Sequence, residues 1–154
     1  MPEYLLAGTD AEYGEAAKLF KEYAVWLAID LCFQHFEEEL ANLNKMYGAA
    51  EGGIILCTHE NEYVGCVAIR KIFAEAAELK RMFVREGYRQ RGIGRELMIR
   101  SIELAGQCGY RKIMLDTLAH MHPAINLYKR FGFRETAPYY YNPNETAVYF
   151  ELDL

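Results

Sequence analysis

Hydrophobic residues recur with two different periods along the chain, and the change of period separates predicted helices from predicted strands. A spacing of three to four residues is typical of an amphipathic helix, and short apolar runs between turn residues are typical of strands. The helical spacing covers residues 10–27, 36–43, 93–108 and 123–131. The predicted strands are 3–9, 54–58, 63–73, 77–84, 112–117, 133–138 and 146–152. This order predicts one mixed α/β domain that spans residues 1–154.

Two details of the first helices can be stated from the residue types. Asp10 is the predicted N-cap of the first helix. In the second helix Phe36, Leu40 and Leu43 share one side. The glutamates at 37–39 are therefore expected to lie largely outside, in contact with solvent.

The composition favours a globular protein with a substantial core. Of the 154 residues, 52% are hydrophobic and 25% are charged. The four cysteines lie far apart with no CxxC pair, which argues against a zinc ribbon, a thioredoxin-type motif and a small disulfide scaffold. No signal-peptide pattern and no apolar run of about 18 residues occur, so we expect a cytoplasmic protein with no membrane partner.

The distribution of charge predicts a local anion site. The net charge of −5 argues against nucleic acid as a partner. Residues 80–100 nevertheless contain seven basic and two acidic residues, a net charge of +5 in an otherwise acidic chain. This concentration favours a small anionic ligand, although a solvated helix face with scattered arginines is an equal alternative.

The segment Arg89-Gln90-Arg91-Gly92-Ile93-Gly94 joins a predicted strand to the start of the third helix. The first N–H groups of a helix have no internal partners and can bind an anion. The two glycines would let a phosphate approach closely, and Arg89, Arg91 and Arg95 could add charge-assisted hydrogen bonds. The pattern is neither a P-loop nor a Rossmann fingerprint. The alternative is that the glycines only form a tight turn.

Two motifs resemble those of the GNAT superfamily of N-acetyltransferases. Residues 79–94 (LKRMFVREGYRQRGIG) are similar to its acetyl-CoA motif, and residues 124–133 (AINLYKRFGF) to a second motif downstream. The order of elements matches along nearly the whole chain. Within the superfamily, the strand at 78–84 and the segment at 138–143 (PYYYNP) resemble a group of bacterial proteins of unassigned substrate.

The resemblance implies a mostly antiparallel mixed sheet flanked by helices, with a V-shaped splay between the fourth and fifth strands. Acetyl-CoA would be a co-substrate, with its pantetheine arm in the splay and its pyrophosphate on the loop. Met82 or Phe83 would donate the N–H that stabilises the oxyanion. Where the family often has a cofactor-contacting Asn this chain has Met121, and Asn126 is the nearest asparagine. The implied cofactor-binding residues are Met82, Phe83, Val84, Arg89, Gln90, Arg91, Gly92, Ile93, Gly94, Arg95 and Asn126.

The implied catalytic residues are Tyr128 and Glu78. Tyr128 matches the family's tyrosine near the cofactor sulfur, and a phenol is protonated at neutral pH and can donate to a leaving thiolate. Glu78 lies where several members place a carboxylate base, and it would need burial or a water relay to act on an ammonium. The alternatives are that Tyr128 is a core aromatic and that Glu78 forms a salt bridge with Lys80.

The acceptor pocket is predicted from Gln34, Glu38, Tyr139 and Tyr140, whose acidic and aromatic surfaces favour an ammonium group. We therefore expect acetyl transfer to a primary amine of a small basic or zwitterionic molecule. The glutamates could equally serve solubility, and the tyrosines could belong to an edge strand. Alternative functions are protein or peptide acetylation and non-catalytic acyl-CoA binding. A homodimer is possible, and the histidines of 120–122 do not have the spacing of a metal site.

Overall fold

The computed structural model of the chain describes residues 1–28, 35–48 and 50–154, and it contains the predicted elements in the predicted order. The strands are β1 (Glu3–Leu6), β2 (Gly53–His59), β3 (Glu62–Phe73), β4 (Ala76–Val84), β5 (Lys112–Leu118), β6 (Arg134–Thr136) and β7 (Ala147–Asp153). The helices are α1 (Asp10–Leu27), α2 (Phe36–Ala41), α3 (Leu43–Met46), α4 (Ile93–Gln107) and α5 (His122–Arg130). Within the described ranges, no helix is both long and apolar enough to cross a membrane.

The N-cap of α1 is Thr9, so the prediction of Asp10 was wrong by one residue. The Thr9 hydroxyl accepts a hydrogen bond from the Glu12 N–H at 3.1 Å, and the Glu12 carboxylate accepts one from the Thr9 N–H at 3.0 Å. This reciprocal capping box also takes the N–H of Gly8. The N–H groups of Gly8 and Thr9 are bonded to Glu12 of the helix and not to a neighbouring strand, so β1 is shorter than predicted.

Two other predicted elements are shorter than expected. The helix predicted over 36–43 is broken at Asn42, whose side chain donates to the Glu38 carbonyl at 2.9 Å. The strand predicted over 133–138 is confined to β6. Phe133, the first residue of the predicted strand, donates its N–H to the carbonyl of Tyr128 near the end of α5. Pro138, the last residue of the predicted strand, has no N–H to donate.

The sheet has the order β1-β2-β3-β4-β5-β7-β6, and every neighbouring pair is antiparallel except β4 and β5. These two parallel strands pair only from Ala76 to Glu78 on β4, opposite Lys112 to Met114 on β5. Beyond Glu78 they separate, which confirms the predicted splay between the fourth and fifth strands.

Two apolar cores cover the two faces of the sheet. On one face, Ile93, Leu97 and Met98 of α4 pack with strand residues and with Tyr128 of α5. On the other face, α1 and α3 cover strand residues that include Phe83 of β4. The splay therefore has α4 and α5 on one side and α1 to α3 on the other.

A β-bulge lies in the free half of β4. Arg81 has a φ of +58°, in the left-handed region, and the register against β3 shifts by one residue there. Lys80 and Arg81 consequently both face α2. The alternation of β4 is reversed after the bulge, so that Met82 packs on the α4 side while Phe83 packs on the α1 side.

Glu39 departs from the expectation that the glutamates of 37–39 lie largely outside. It has no exposed surface, and Arg81 donates to its two oxygens at 3.0 and 2.7 Å. The Tyr47 hydroxyl donates to the same carboxylate at 3.0 Å. Burial alone would raise the pKa of Glu39, but the hydrogen bonds and charge of Arg81 outweigh it and hold this pKa below its usual value.

We expect Arg81→Met to lower the free energy of unfolding by about 3–5 kcal/mol, because it leaves the Glu39 charge buried without a partner. Urea-induced unfolding at neutral pH measures the loss. Arg111→Met is the matched control, since the Arg111–Glu75 pair is exposed on both sides, and it should leave stability unchanged. Equal losses in the two variants would show that the buried pair does not stabilise the bulge.

Candidate active site

The gap between β4 and β5 widens into a cleft of about 690 Å³, a size that suits a small-molecule ligand. Its walls are the end of α1, the free half of β4, the start of α4, and α5. The predicted cofactor residues that line it are Met82, Phe83, Val84, Arg89, Gln90, Ile93 and Gly94. Arg91, Gly92, Arg95 and Asn126 do not line it, and Asn126 is exposed on α5.

The loop before α4 presents the helix start to this cleft. Gly92 has a φ of +81° and turns the chain into α4 without a side-chain cap. The Glu96 N–H is bonded to the Gly92 carbonyl, so the earlier N–H groups of the helix have no intrahelical acceptor. Together with the helix dipole, these groups form a site for an anion.

The basic residues predicted to form one anion site divide into two groups. Four have a carboxylate partner: Lys80 pairs with Glu78, Arg81 with Glu39, Arg85 with Glu22, and Arg100 with Glu96. The arginines at the loop form no ion pair within the described chain, and these are Arg89, Arg91 and Arg95. The positive charge available to a ligand at the loop is therefore smaller than the sequence suggests.

Arg89 is held in place by two kinds of contact. Its Nε donates to the Val84 carbonyl at 2.7 Å, and its guanidinium lies over the ring of Trp26, 4.6 Å from the ring centre. Both contacts connect the loop to the walls of the cleft.

Tyr128 lies on α5 with 5% of its surface exposed, and its ring packs against Phe133 and Phe150. It lines the cleft and also a narrower cavity of about 100 Å³ at the deep end of the splay, here called the throat. Burial raises the pKa of its phenol, which keeps the proton on the oxygen. In the part of the chain that the structure describes, the hydroxyl has no hydrogen-bond partner.

Asp116 of β5 is the carboxylate of the throat. Its Oδ2 accepts hydrogen bonds from the Tyr140 hydroxyl at 2.5 Å and from the Asn142 amide at 3.0 Å. Its Oδ1 has no hydrogen bond from any described residue. Burial raises the pKa of Asp116 above its usual value, which brings it closer to that of a useful proton acceptor.

A second cavity of about 330 Å³, here called the acceptor cavity, adjoins the throat on the α2 side. Glu78 lines it with 2% of its surface exposed, and both oxygens are occupied. Oε1 accepts from Arg70 Nε at 2.9 Å, and Oε2 accepts from the Tyr139 hydroxyl at 2.7 Å. Lys80 Nζ lies 3.8 Å from Oε1, so the salt bridge expected as an alternative is present, but Arg70 is the closer partner.

The structure brings two of the four predicted acceptor residues to this cavity. Glu38 and Tyr140 line it, with Glu38 at the exposed rim. Tyr139 does not line it and instead supports Glu78. Gln34 lies outside the described residues.

Sequence reasoning missed Asp116 and gave Lys80 no role beyond a partner for Glu78. A signal was present for each: Asp116 is the single acid in the mostly apolar run Ile113 to Leu118, and Lys80 is a basic residue inside a strand predicted to be central. Charged residues are rarely buried unless they are paired or functional. Among residues 1–28, 35–48 and 50–154, no group of three or more His, Cys, Asp or Glu side chains could hold a metal ion.

Comparison with known proteins gives one consistent result. The model of the acetyltransferase (GNAT) family matches residues 17–133. An uncharacterised N-acetyltransferase of Schizosaccharomyces pombe is 37% identical over 138 residues, which cover 88% of this chain and 85% of that protein.

Solved structures have the same fold. A GNAT-family acetyltransferase from Staphylococcus aureus superposes with a TM-score of 0.83 and 20% identity, covering 99% of both chains. A structure from Salmonella typhimurium that contains acetyl-CoA superposes with a TM-score of 0.76 and 15% identity, covering 99% of this chain and 93% of that one.

Proposed function

We propose that this chain, which belongs to the acetyltransferase (GNAT) family, transfers the acetyl group of acetyl-CoA to a primary amine of a small molecule. The family membership makes it an acyltransferase. The observation that carries the proposal is the separation of β4 from β5. The separation leaves a cleft with the N–H groups of α4 on its wall and Tyr128 and Asp116 where it narrows into the throat.

The cleft has the groups that acetyl-CoA requires. The pyrophosphate would bind the N–H groups at the start of α4, and the pantetheine amides would pair with the backbone of β4 from Leu79 onward, which β5 does not use. Bound acetyl-CoA supplies an activated acetyl thioester. Met82 lines both cleft and throat, whereas Phe83 lines the cleft alone, and this favours the Met82 N–H as the donor to the thioester oxygen.

The proposal assigns proton transfer to two side chains. The attacking amine forms the new C–N bond as the C–S bond breaks, and it must lose a proton while the thiolate gains one. The Tyr128 hydroxyl is protonated and uncommitted, and it would donate to the sulfur. The free Oδ1 of Asp116 would accept the proton of the amine. Tyr140 and Asn142 hold that carboxylate in place.

We expect Gly94→Val to weaken acetyl-CoA binding by at least roughly tenfold, about 1.4 kcal/mol, because the side chain would occupy the approach of the phosphates. A Cβ at Gly94 would lie 3.8 Å from Leu127 Cδ2, an ordinary contact, so the fold should accept it. Calorimetry measures the affinity. Gly92 is less suitable, since its positive φ would strain any side chain.

Gly106→Val is the control for this prediction, because Gly106 lies in the same helix with open space around its Cα. It makes the same substitution in the same helix, away from the cleft, and should bind acetyl-CoA as wild type does. Equal affinities for Gly94→Val and wild type would place the cofactor elsewhere.

Tyr128→Phe should lower turnover by roughly 10²–10⁴-fold, because it removes the proton donor and keeps the ring. The affinity for acetyl-CoA should not change. Release of free CoA in the presence of a panel of primary amines measures turnover. Tyr110→Phe is the control, since its hydroxyl bonds to the Glu51 carbonyl away from the cleft. Full turnover in Tyr128→Phe would assign this tyrosine to packing alone.

The identity of the base is tested by comparing Asp116→Asn with Glu78→Gln. The sequence favours Glu78, but its oxygens are occupied by Arg70 and Tyr139, and the geometry favours Asp116. A base with a raised pKa gives a rate that rises with pH as its carboxylate ionises. We expect Asp116→Asn to lose this rise and roughly 10²–10⁴-fold in rate, while Glu78→Gln keeps the rise. The opposite pattern would assign the base to Glu78.

A further inference from the structure

The acceptor cavity is lined by charged side chains of both signs. Which of them already have hydrogen-bond partners within the protein indicates the charge of the ligand. Among the described residues, Glu38, Glu39 and Glu78 are its acidic residues, and Arg70, Lys80 and the titratable His35 are its basic ones. Lys80 also lines the throat, so its ammonium lies at the junction of the two cavities.

The buried carboxylates of this cavity already have partners. Glu39 accepts from Arg81 and Tyr47, and Glu78 accepts from Arg70 and Tyr139. Glu38, the remaining acid, is exposed at the rim. The acidic surface expected from the sequence to attract a cation is therefore largely neutralised within the protein.

The cations, in contrast, have unused donors. Lys80 has 8% of its side chain exposed, and its nearest carboxylate oxygen, Glu78 Oε1, is 3.8 Å away, beyond hydrogen-bond distance. Arg70 uses its Nε for Glu78, and its terminal nitrogens donate to no group in the described part of the chain. An ammonium buried without hydrogen bonds is costly to maintain.

The pKa of Lys80 agrees with the lack of hydrogen bonds to its ammonium. Burial lowers its pKa from 10.5 to about 8, and the charge of Arg81 adds to the effect, while Glu78 and Glu39 oppose it. The protein provides less stabilisation of the charged form than water does. An anion in the cavity would supply the missing partner.

We infer that Lys80 and Arg70 bind a carboxylate on the acceptor, so that the acceptor is an amino acid or a closely related amino-carboxylate. This inference rests on the proposed function. Lys80 and Asp116 line the same throat, so a carboxylate held at Lys80 would leave the neighbouring amino group facing Asp116 and Tyr128. The cavity volume of about 330 Å³ accommodates a molecule of this size. The sequence leads us to expect a basic or a zwitterionic acceptor, and a carboxylate site at Lys80 and Arg70 favours the zwitterionic one.

The test compares carboxylate with carboxamide on otherwise identical ligands. Binding of N-acetyl-L-amino acids and of the matching N-acetyl-L-amino acid amides is measured by calorimetry on the protein saturated with CoA. We expect the best carboxylate ligand to bind roughly 10- to 100-fold tighter than its amide, the difference typical of a charge-assisted pair. Lys80→Met should reduce this difference by roughly tenfold, because only Arg70 remains to bind the carboxylate, and it should bind the amide as wild type does.

Two controls separate binding from folding. Lys71→Met makes the same substitution on an exposed residue of β3 and should keep the carboxylate preference. Lys80→Met should unfold at a temperature close to that of wild type, because Glu78 keeps its hydrogen bonds from Arg70 and Tyr139 when the more distant charge of Lys80 is removed. A marked fall in its unfolding temperature would assign Lys80 a structural role and overturn the inference.

Turnover of the free amino acids and of their amides is measured as well, so that failure of the inference can be distinguished from failure of the proposed function. Equal binding of carboxylate and amide to wild type overturns the inference, whatever the turnover. A carboxylate preference that depends on Lys80 supports it even if no amine is acetylated, and in that case only the proposed function fails. If Lys80→Met stops turnover of acids and amides alike and leaves the binding preference intact, Lys80 acts on protons and does not bind the carboxylate.

Discussion

The buried pair between Arg81 and Glu39 is the interaction on which the site depends. Arg81 adopts a left-handed backbone conformation, which costs a non-glycine residue about 1–2 kcal/mol. Its guanidinium is fixed by two hydrogen bonds to a fully buried carboxylate, and such a geometry is strongly directional. The pair connects α2 to the centre of β4 and holds the bulge that reverses the alternation of that strand.

The bulge connects sheet geometry to chemistry. Lys80 lines the acceptor cavity by the same alternation that puts Glu78 there, the bulge turns Arg81 to the same face, and Met82 then falls on the opposite side, at the cleft. Without the extra residue, Met82 and Phe83 would exchange faces. Beyond Glu78, the edge of β4 has backbone groups that β5 does not pair, and unpaired backbone groups in a cleft are suited to binding a ligand.

Much of the fold follows from local patterns, and what the sequence misses depends on contacts between distant residues. The period of apolar residues in α4 and the hairpin of β2 and β3 are local signals, and both elements form as predicted. The burial of Glu39 has no local signal, because its partner Arg81 lies 42 positions away. Asp116 does carry a local signal, a single acid in a mostly apolar strand, but its surroundings also depend on distant residues. Its hydrogen-bond donors, Tyr140 and Asn142, reach it only when the segment between β6 and β7 folds over the sheet.

The basic segment that the sequence marks as one feature serves three purposes once it is folded. The loop arginines lie around the start of α4, Arg81 and Arg85 stabilise packing between β4 and the helices, and Lys80 faces the acceptor cavity. A strand and a helix that meet at the splay send neighbouring residues in different directions, so a net charge of +5 over 21 positions is divided among separate sites. The basic segment of the sequence therefore includes residues that line the cleft, but its net charge is larger than the positive charge that lies at the loop. The side chains that matter for binding are the ones whose donors the protein has left unused.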